Sequence, residues 1–296
     1  MSSRTSRSRT SRRSSRRTSA TLELPHDLPR PVAAVACDLD RTLIGHDAVL
    51  EQRTIDAIAR VRERGIPFVV VTGRMYRSVR PYLDQAGLDD PVVCYQGALV
   101  ADGRTGEFLR HVTVPLDLAR EALEAFAAEG THVNCYVGDE LYVAELNDYA
   151  RRYADFQNLP VTPVGDLAAW LDEPPTKLVA VGEEAEIARL AERFKGLFRE
   201  RLFVSTSLPI FLELASPNVS KGSGMAFVAE RFGFDASHTI AFGDGENDVE
   251  LLEWAGYGIA VADAHPRLQA VADWTCPGPS EFGVASVLEA LVDSLP

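Results

Sequence analysis

Three apolar runs lie early in the chain, at residues 32–37, 67–71 and 91–95, and none shows the polar alternation of a half-exposed strand. Runs of this kind read as strands buried on both faces of a sheet. Between them the spacing becomes helical. Residues 51–64 carry Ile55, Ile58 and Val61 among charges and stop at Gly65 and Pro67; residues 78–86 carry Val79, Tyr82, Leu83 and Ala86 and stop at Gly87. Strand, helix, strand, helix, strand with short loops predicts a parallel sheet with right-handed crossovers.

From Ala98 the pattern changes. Leu99-Val100 and Glu107-Phe108-Leu109 flank Asp102-Gly103 as in a hairpin. A helical stretch at 118–128 is followed by strands at 132–137 and 141–143. The Pro-rich residues 172–176 lead into a strand at 177–181, then a helix at 184–197 and a hairpin made by 203–207 and 211–214. This region reads as an α+β insert with a largely antiparallel sheet. The parallel grammar resumes at Ser220-Lys221-Gly222, with a helix through Met225, Val228, Ala229 and Phe232, strands at 239–242 and 258–261, and a last helix at 284–291. The expected fold class is α/β, a Rossmann-like doubly wound parallel sheet with an inserted α+β domain. Its expected divisions are a tail at 1–23, a first core part at 24–97, the insert at 98–215 and a second core part at 216–296.

The 296 residues suffice for two packed units, and 46% hydrophobic with 25% charged residues is the balance of a globular chain. No apolar run is long enough to span a bilayer, so no membrane partner is expected. Cys37, Cys94, Cys135 and Cys276 form no C-x-x-C pair, which argues against a zinc site or disulfide framework and for a reducing, cytoplasmic setting. The net charge of -13 is unevenly spread: residues 1–20 hold seven arginines and no acid, leaving the body more acidic than the whole. An acidic body excludes nucleic acid as the main partner. The tail is Arg- and Ser-rich without an apolar stretch, and is expected to be a disordered extension; weak attraction to nucleic acid or an anionic surface is the second reading.

Four short signals fall where an open α/β sheet gathers its ligands, beyond strand ends and at a helix start. Asp38-Leu39-Asp40-Arg41-Thr42 ends the first strand. Side chains alternate along an extended chain, so Asp38 and Asp40 are expected on one side. Two carboxylates so close need a compensating cation or a shared proton, which suits metal-assisted chemistry with one as nucleophile and one as proton carrier. Thr72-Gly73-Arg74 offers a hydroxyl and a glycine that lets backbone N–H groups approach an anion. Lys221 lies near a helix N-terminus, where anions are favoured. Gly243-Asp244-Gly245-Glu246-Asn247-Asp248 supplies hard oxygen ligands suited to Mg2+. Each also has a plain structural reading as a turn, a solvated lysine or a helix cap; together, and in this order, they define a site.

With these motifs the chain resembles the haloacid dehalogenase superfamily, and within it the Cof-type phosphatases with a large α/β cap. The resemblance runs from Val32 to Leu291 and places the insert as the cap. It implies that Asp38 attacks phosphorus to form an aspartyl-phosphate, that Asp40 acts as acid and then base, and that Thr72, Gly73 and Lys221 bind the phosphoryl group. It implies a Mg2+ cofactor held by Asp38, Asp40 through its backbone carbonyl and Asp244, with Asp248 either a further ligand or a support behind the ligands and Asn247 as an orienting partner. The expected activity is hydrolysis of a small phosphorylated metabolite, a sugar phosphate or cofactor phosphate; a sugar phosphomutase and a non-catalytic acidic binding module are the alternatives. Oligomeric state is not legible. Arg41 replaces the usual glycine, which is unstrained only where φ is negative, and is expected at the cavity mouth against an anionic or polar leaving group. Gln96, in Tyr95-Gln96-Gly97-Ala98, replaces the family's Asn, with a reach toward either the substrate or the loop. Thr42 is expected to support the loop, and His132, Asn134, Tyr136 and Glu213 to pack or face solvent.

Overall fold

Apolar, largely β-branched segments cannot be satisfied at a surface, and the chain buries them in a central sheet. The structure, a computed structural model, describes residues 22–157 and 159–295, so the arginine-rich segment expected to be disordered lies outside the described residues except for its last two positions. Strand β1 (Ala34–Asp38) leads through helix α1 (Gln52–Glu63) to β2 (Phe68–Val71), and α2 (Tyr76–Ala86) leads to β3 (Val92–Cys94). A turn at Tyr95–Gly97 then reverses the chain into β4 (Leu99–Ala101) and β5 (Phe108–His111).

The next elements are α3 (Leu116–Glu129), β6 (His132–Val137), β7 (Glu140–Val143), α4 (Asp148–Gln157), β8 (Thr162–Pro163) and α5 (Leu167–Trp170). They continue with β9 (Lys177–Val181), α6 (Glu184–Phe198), β10 (Phe203–Leu208) and β11 (Phe211–Ala215). The chain closes with α7 (Lys221–Phe232), β12 (Thr239–Gly243), α8 (Val249–Trp254), β13 (Tyr257–Val261), α9 (Pro266–Gln269), β14 (Trp274–Cys276) and α10 (Gly283–Asp293).

The first sheet has the order β14-β13-β12-β1-β2-β3-β4-β5, parallel from β14 to β3 and antiparallel through β4 and β5. Every residue of β1, β2, β3, β12 and β13 is buried, the mark of a sheet covered on both faces. Helix α1 packs on α10, and α7 on α8. The chain leaves β1 toward β2 on one side and later returns to β12 on the other. That reversal opens a crevice at the carboxyl ends of β1 and β12, where ligands of such sheets bind.

The second sheet, β10-β11-β9-β6-β7-β8, is antiparallel except for the β7–β8 pair. One face packs Cys135, Leu178, Ala180, Leu212 and Leu214 against Phe126 and Phe194 of α3 and α6, whose rings stack at 4.1 Å. The α/β class and the inserted α+β unit match the reading from sequence, but one division is corrected. The sequence pattern places the hairpin β4–β5 in the insert, yet it pairs with β3 and extends the first sheet, so the second sheet begins only after His111. The physical reason is the tight turn at 95–97, which returns the chain alongside β3; consistently, Leu99, Val100 and Ala101 are all buried with no alternation.

Gly97 holds the two halves of this first unit together, with φ at +99° and its Cα against the start of α7. A Cβ there would lie 2.0 Å from the Ser220 carbonyl oxygen and 2.7 Å from its carbon. Gly97→Ala is therefore expected to lower unfolding stability by about 2–3 kcal/mol. Gly196→Ala, inside α6 with open space around the added methyl, should instead raise it by roughly 0.5–1 kcal/mol. Urea unfolding of both variants checks the pair, and equal midpoints would contradict it.

Candidate active site

Lys221 is the first residue of α7, and the start of that helix is fixed by a reciprocal cap. The Ser223 N–H donates to Ser220 Oγ at 3.1 Å, and the Ser220 N–H donates to Ser223 Oγ at 2.9 Å. This sends the lysine side chain inward, where it is 1% exposed. Its Nζ donates to Asp38 Oδ1 and to Asp248 Oδ1, each at 2.6 Å. Asp38 is the last residue of β1; Asp248 follows β12 on a loop that it closes itself. Its Oδ2 accepts from the N–H groups of Asp244 and Gly245 at 3.0 and 2.9 Å. A Cβ on Gly243 would lie 2.5 Å from that of Asp248, so the tight approach of loop to strand requires glycine.

Charge and burial conflict here. Burial pushes the Asp38 carboxyl well above its ordinary range, opposed by Lys221 and reinforced by Asp248. Burial also pulls on the Lys221 ammonium, but Asp248 and Asp38 outweigh it and hold the pKa above the usual lysine value. Asp244 is pushed up to about 6, by burial first and by Asp248 second. The lysine thus stays charged among three acids, with Arg41 reaching Asp244 from the exposed side. Oxygen atoms of Asp38, Asp244 and Asp248 lie within 4.8 Å of one another, and Asp38 Oδ2 is buried without a hydrogen-bond partner among the described residues. An orphaned buried carboxylate oxygen in a surplus of negative charge, with carboxylates of two further acids within 4.8 Å, fits a metal cation.

The other residues singled out from sequence fall around this cluster. Thr72, at the end of β2, is buried, and its Oγ1 accepts from the Arg74 N–H at 3.1 Å. Gly73 lies under the Gln96 side chain. Asn247 donates to Gln96 Oε1 at 3.0 Å rather than to an acid. Asp40 lies outside the acidic trio, because β1 ends at Asp38 and Arg74 takes both Asp40 oxygens, Nε to Oδ2 at 2.7 Å and Nη2 to Oδ1. Arg41 corrects one expectation, since its φ is +64° and the residue adopts the left-handed conformation despite its side chain. That side chain is 54% exposed and reaches Asp244, Nε to Oδ2 at 3.4 Å. Thr42 is buried, with no partner for its hydroxyl among the described residues.

Two features carried no recognised signal in sequence. Arg74 was read only as the end of a turn motif, whereas it binds Asp40. Asp139, at the turn between β6 and β7, accepts from the Tyr76 N–H at 2.9 Å and the Tyr95 hydroxyl at 2.8 Å through Oδ1, and from the Arg77 N–H at 2.8 Å through Oδ2. It ties the second sheet to the start of α2 and to the turn after β3. Only the Gly138-Asp139 pair, a hairpin turn, hinted at it.

Residues 35–288 match the family model of the haloacid dehalogenase-like hydrolases. The chain belongs to that family, in its Cof-type branch, and is therefore a hydrolase. It is 28% identical over 259 residues to the 5-amino-6-(5-phospho-D-ribitylamino)uracil phosphatase YitU of Bacillus subtilis, covering 86% of this chain and 96% of that one. It is 28% identical to the pyridoxal phosphate phosphatase YbhA of Escherichia coli, covering 81% of this chain and 91% of the relative. The crystal structure of TM0651 from Thermotoga maritima superposes with a TM-score of 0.81 at 25% identity, over 87% of this chain and 97% of that one.

The raised pKa of Asp244 has a stability consequence of definite sign. The folded state binds this proton up to about pH 6 and the unfolded chain releases it near pH 3.8, so metal-free stability falls as pH rises between them. Asp244→Asn removes that loss. With chelator present, the variant is expected to gain about 1–2 kcal/mol over the parent at pH 7, after allowance for solvent screening, and the difference should shrink toward pH 4. A difference in unfolding free energy that does not vary with pH would contradict this.

Proposed function

We propose that the protein is a Mg2+-dependent phosphatase that hydrolyses a small phosphorylated metabolite, a sugar phosphate or cofactor phosphate, through an aspartyl-phosphate on Asp38. The observation that carries this reading is the buried Asp38–Lys221–Asp248 cluster with the unpartnered Asp38 Oδ2 beside Asp244. The names of two relatives, each a phosphatase for a different small phosphorylated molecule, support the substrate class. The acidic body favours a small substrate over nucleic acid, and the four cysteines, all free and buried, suit a reducing cytoplasm.

Asp38 and Asp244 would hold the Mg2+, with the Asp40 backbone carbonyl as a further ligand. Asp248 would act from behind, because both its oxygens are already spent on Lys221 and on the loop. When bound, the ion supplies positive charge that offsets the acids and the incoming phosphoryl group. Asp38 attacks phosphorus in line, its charge held in place by Lys221. Thr72, Gly73 and Lys221 bind the phosphoryl oxygens as charge spreads over them. Asp40 gives a proton to the leaving oxygen and takes one from the water that cleaves the aspartyl-phosphate. The Arg74 guanidinium, paired with both Asp40 oxygens, fixes the position of that carboxyl for both proton transfers.

Phosphate release from a panel of sugar phosphates, nucleotides, FMN and pyridoxal phosphate tests the reading. Turnover is expected only with Mg2+ and to vanish with chelator. Asp38→Asn should lower kcat by roughly a thousandfold or more and Asp40→Asn by about a hundredfold or more. Phosphate release by Asp38→Asn at the parent rate would sink the proposal.

A further inference from the structure

We propose that Gln96 is a substrate-binding residue whose side-chain NH2 donates a hydrogen bond to the phosphoryl group over Thr72 and Gly73. This rests on the phosphatase reading for what the site binds and adds a donor to it. The turn after β3 carries Tyr95 at φ +51°, Gln96 at +58° and Gly97 at +99°. Two successive non-glycine residues in the left-handed region persist only where their surroundings over-determine them. Here the Tyr95 N–H donates to the Arg74 carbonyl at 2.9 Å and the Gln96 N–H to the Thr72 carbonyl at 3.1 Å. The Tyr95 hydroxyl is held by Asp139 at 2.8 Å. The turn is thereby stitched along the whole Thr72-Gly73-Arg74 segment.

The Gln96 side chain lies across that segment. A Cβ on Gly73 would come within 2.5 Å of Gln96 Nε2 and 3.0 Å of Cδ, so glycine leaves the space that the amide fills. The other end of the amide is pinned: Oε1 accepts from Asn247 Nδ2 at 3.0 Å, on the loop that carries Asp244 and Asp248. With Oε1 engaged, Nε2 presents both hydrogens beside Gly73, and it has no partner among the described residues. The Gly73 N–H is likewise without a partner among them. Two neutral donors, one on the turn after β2 and one on the turn after β3, form a seat for an acceptor-only group. A phosphoryl oxygen is such a group, and an uncharged amide meets it without altering the charge balance set by Lys221. The extra methylene of Gln over the family's Asn lets one side chain reach Asn247 and Gly73 together.

The test is inorganic phosphate binding to the intact protein with Mg2+, measured by calorimetry, alongside p-nitrophenyl phosphate turnover. Gln96→Met, which keeps the volume but cannot donate, is expected to weaken phosphate roughly ten- to hundredfold. It should raise KM for p-nitrophenyl phosphate more than it lowers kcat. Gln96→Glu, which replaces the donor with a repelling oxygen, should weaken phosphate further. Asn247→Ala, which unpins the amide but leaves the donor, should weaken it less than Gln96→Met. Unchanged phosphate affinity in Gln96→Met, or no phosphate binding by the parent, overturns the inference. Phosphate binding that depends on Gln96 in a protein that releases no phosphate from any ester would uphold the inference and defeat the phosphatase reading.

Discussion

A buried ammonium between two buried carboxylates is the constraint on which the rest of this structure depends. Lys221 can be 1% exposed only because Asp38 and Asp248 each approach it at 2.6 Å. Removing one partner from such an arrangement leaves an uncompensated buried charge, a cost of roughly 3–5 kcal/mol. The three residues come from positions 38, 221 and 248, so the pairing holds β1, the start of α7 and the loop after β12 in one geometry. The trio is not neutral. Asp244 adds a further acid, and the unpartnered Asp38 Oδ2 marks where additional positive charge is needed.

The sheet explains why these residues meet. β1 and β12 are adjacent and parallel, with Cys37 opposite Phe242, so Asp38 and the loop beginning at Asp244 emerge at the same level. Buried strands such as β1 have no freedom to slip, since a one-residue shift would exchange every side chain between the two faces. Rigid strands thus deliver Asp38 and the loop that begins at Asp244, while the turns after β2 and β3 carry Gly73 and Gln96 beside each other. Three of the seven non-glycine residues with positive φ among the described residues, Arg41, Tyr95 and Gln96, lie in the turns after β1 and β3.

Much of this was legible in the sequence. Unbroken apolar runs marked β1, β2, β12 and β13, and the acids at the ends of β1 and β12 marked the cluster that forms the candidate site, because hydrophobic period and strand-end chemistry are local properties. What was not legible is non-local. β4 and β5 looked like the start of the insert, since a hairpin pattern does not say which sheet it joins. The three-residue β14 and the polar α4 were too short or too weakly patterned to stand out. Arg74, Asp139 and the Gln96–Asn247 bond depend on partners 34, 63 and 151 residues away or on a particular turn, and no periodicity carries such information.

The second sheet bears on the site through few contacts. Asp139 caps α2 and holds Tyr95, the Tyr136 ring meets Tyr95 edge-on at 5.8 Å, and the Lys177 ammonium lies 5.2 Å from the Tyr136 ring. All converge on the turn that carries Gln96, so the insert is mechanically joined to the segment beside Thr72 and Gly73. The central claim, that Asp38 is the group that takes the phosphoryl, is tested most directly by acid-quenching the enzyme with Mg2+ and a hydrolysed substrate and mapping phosphorylated peptides by mass spectrometry. A transient, acid-stable but base-labile phosphate on Asp38 is the predicted result; steady turnover with no phosphate on Asp38 at any quench time would contradict the account.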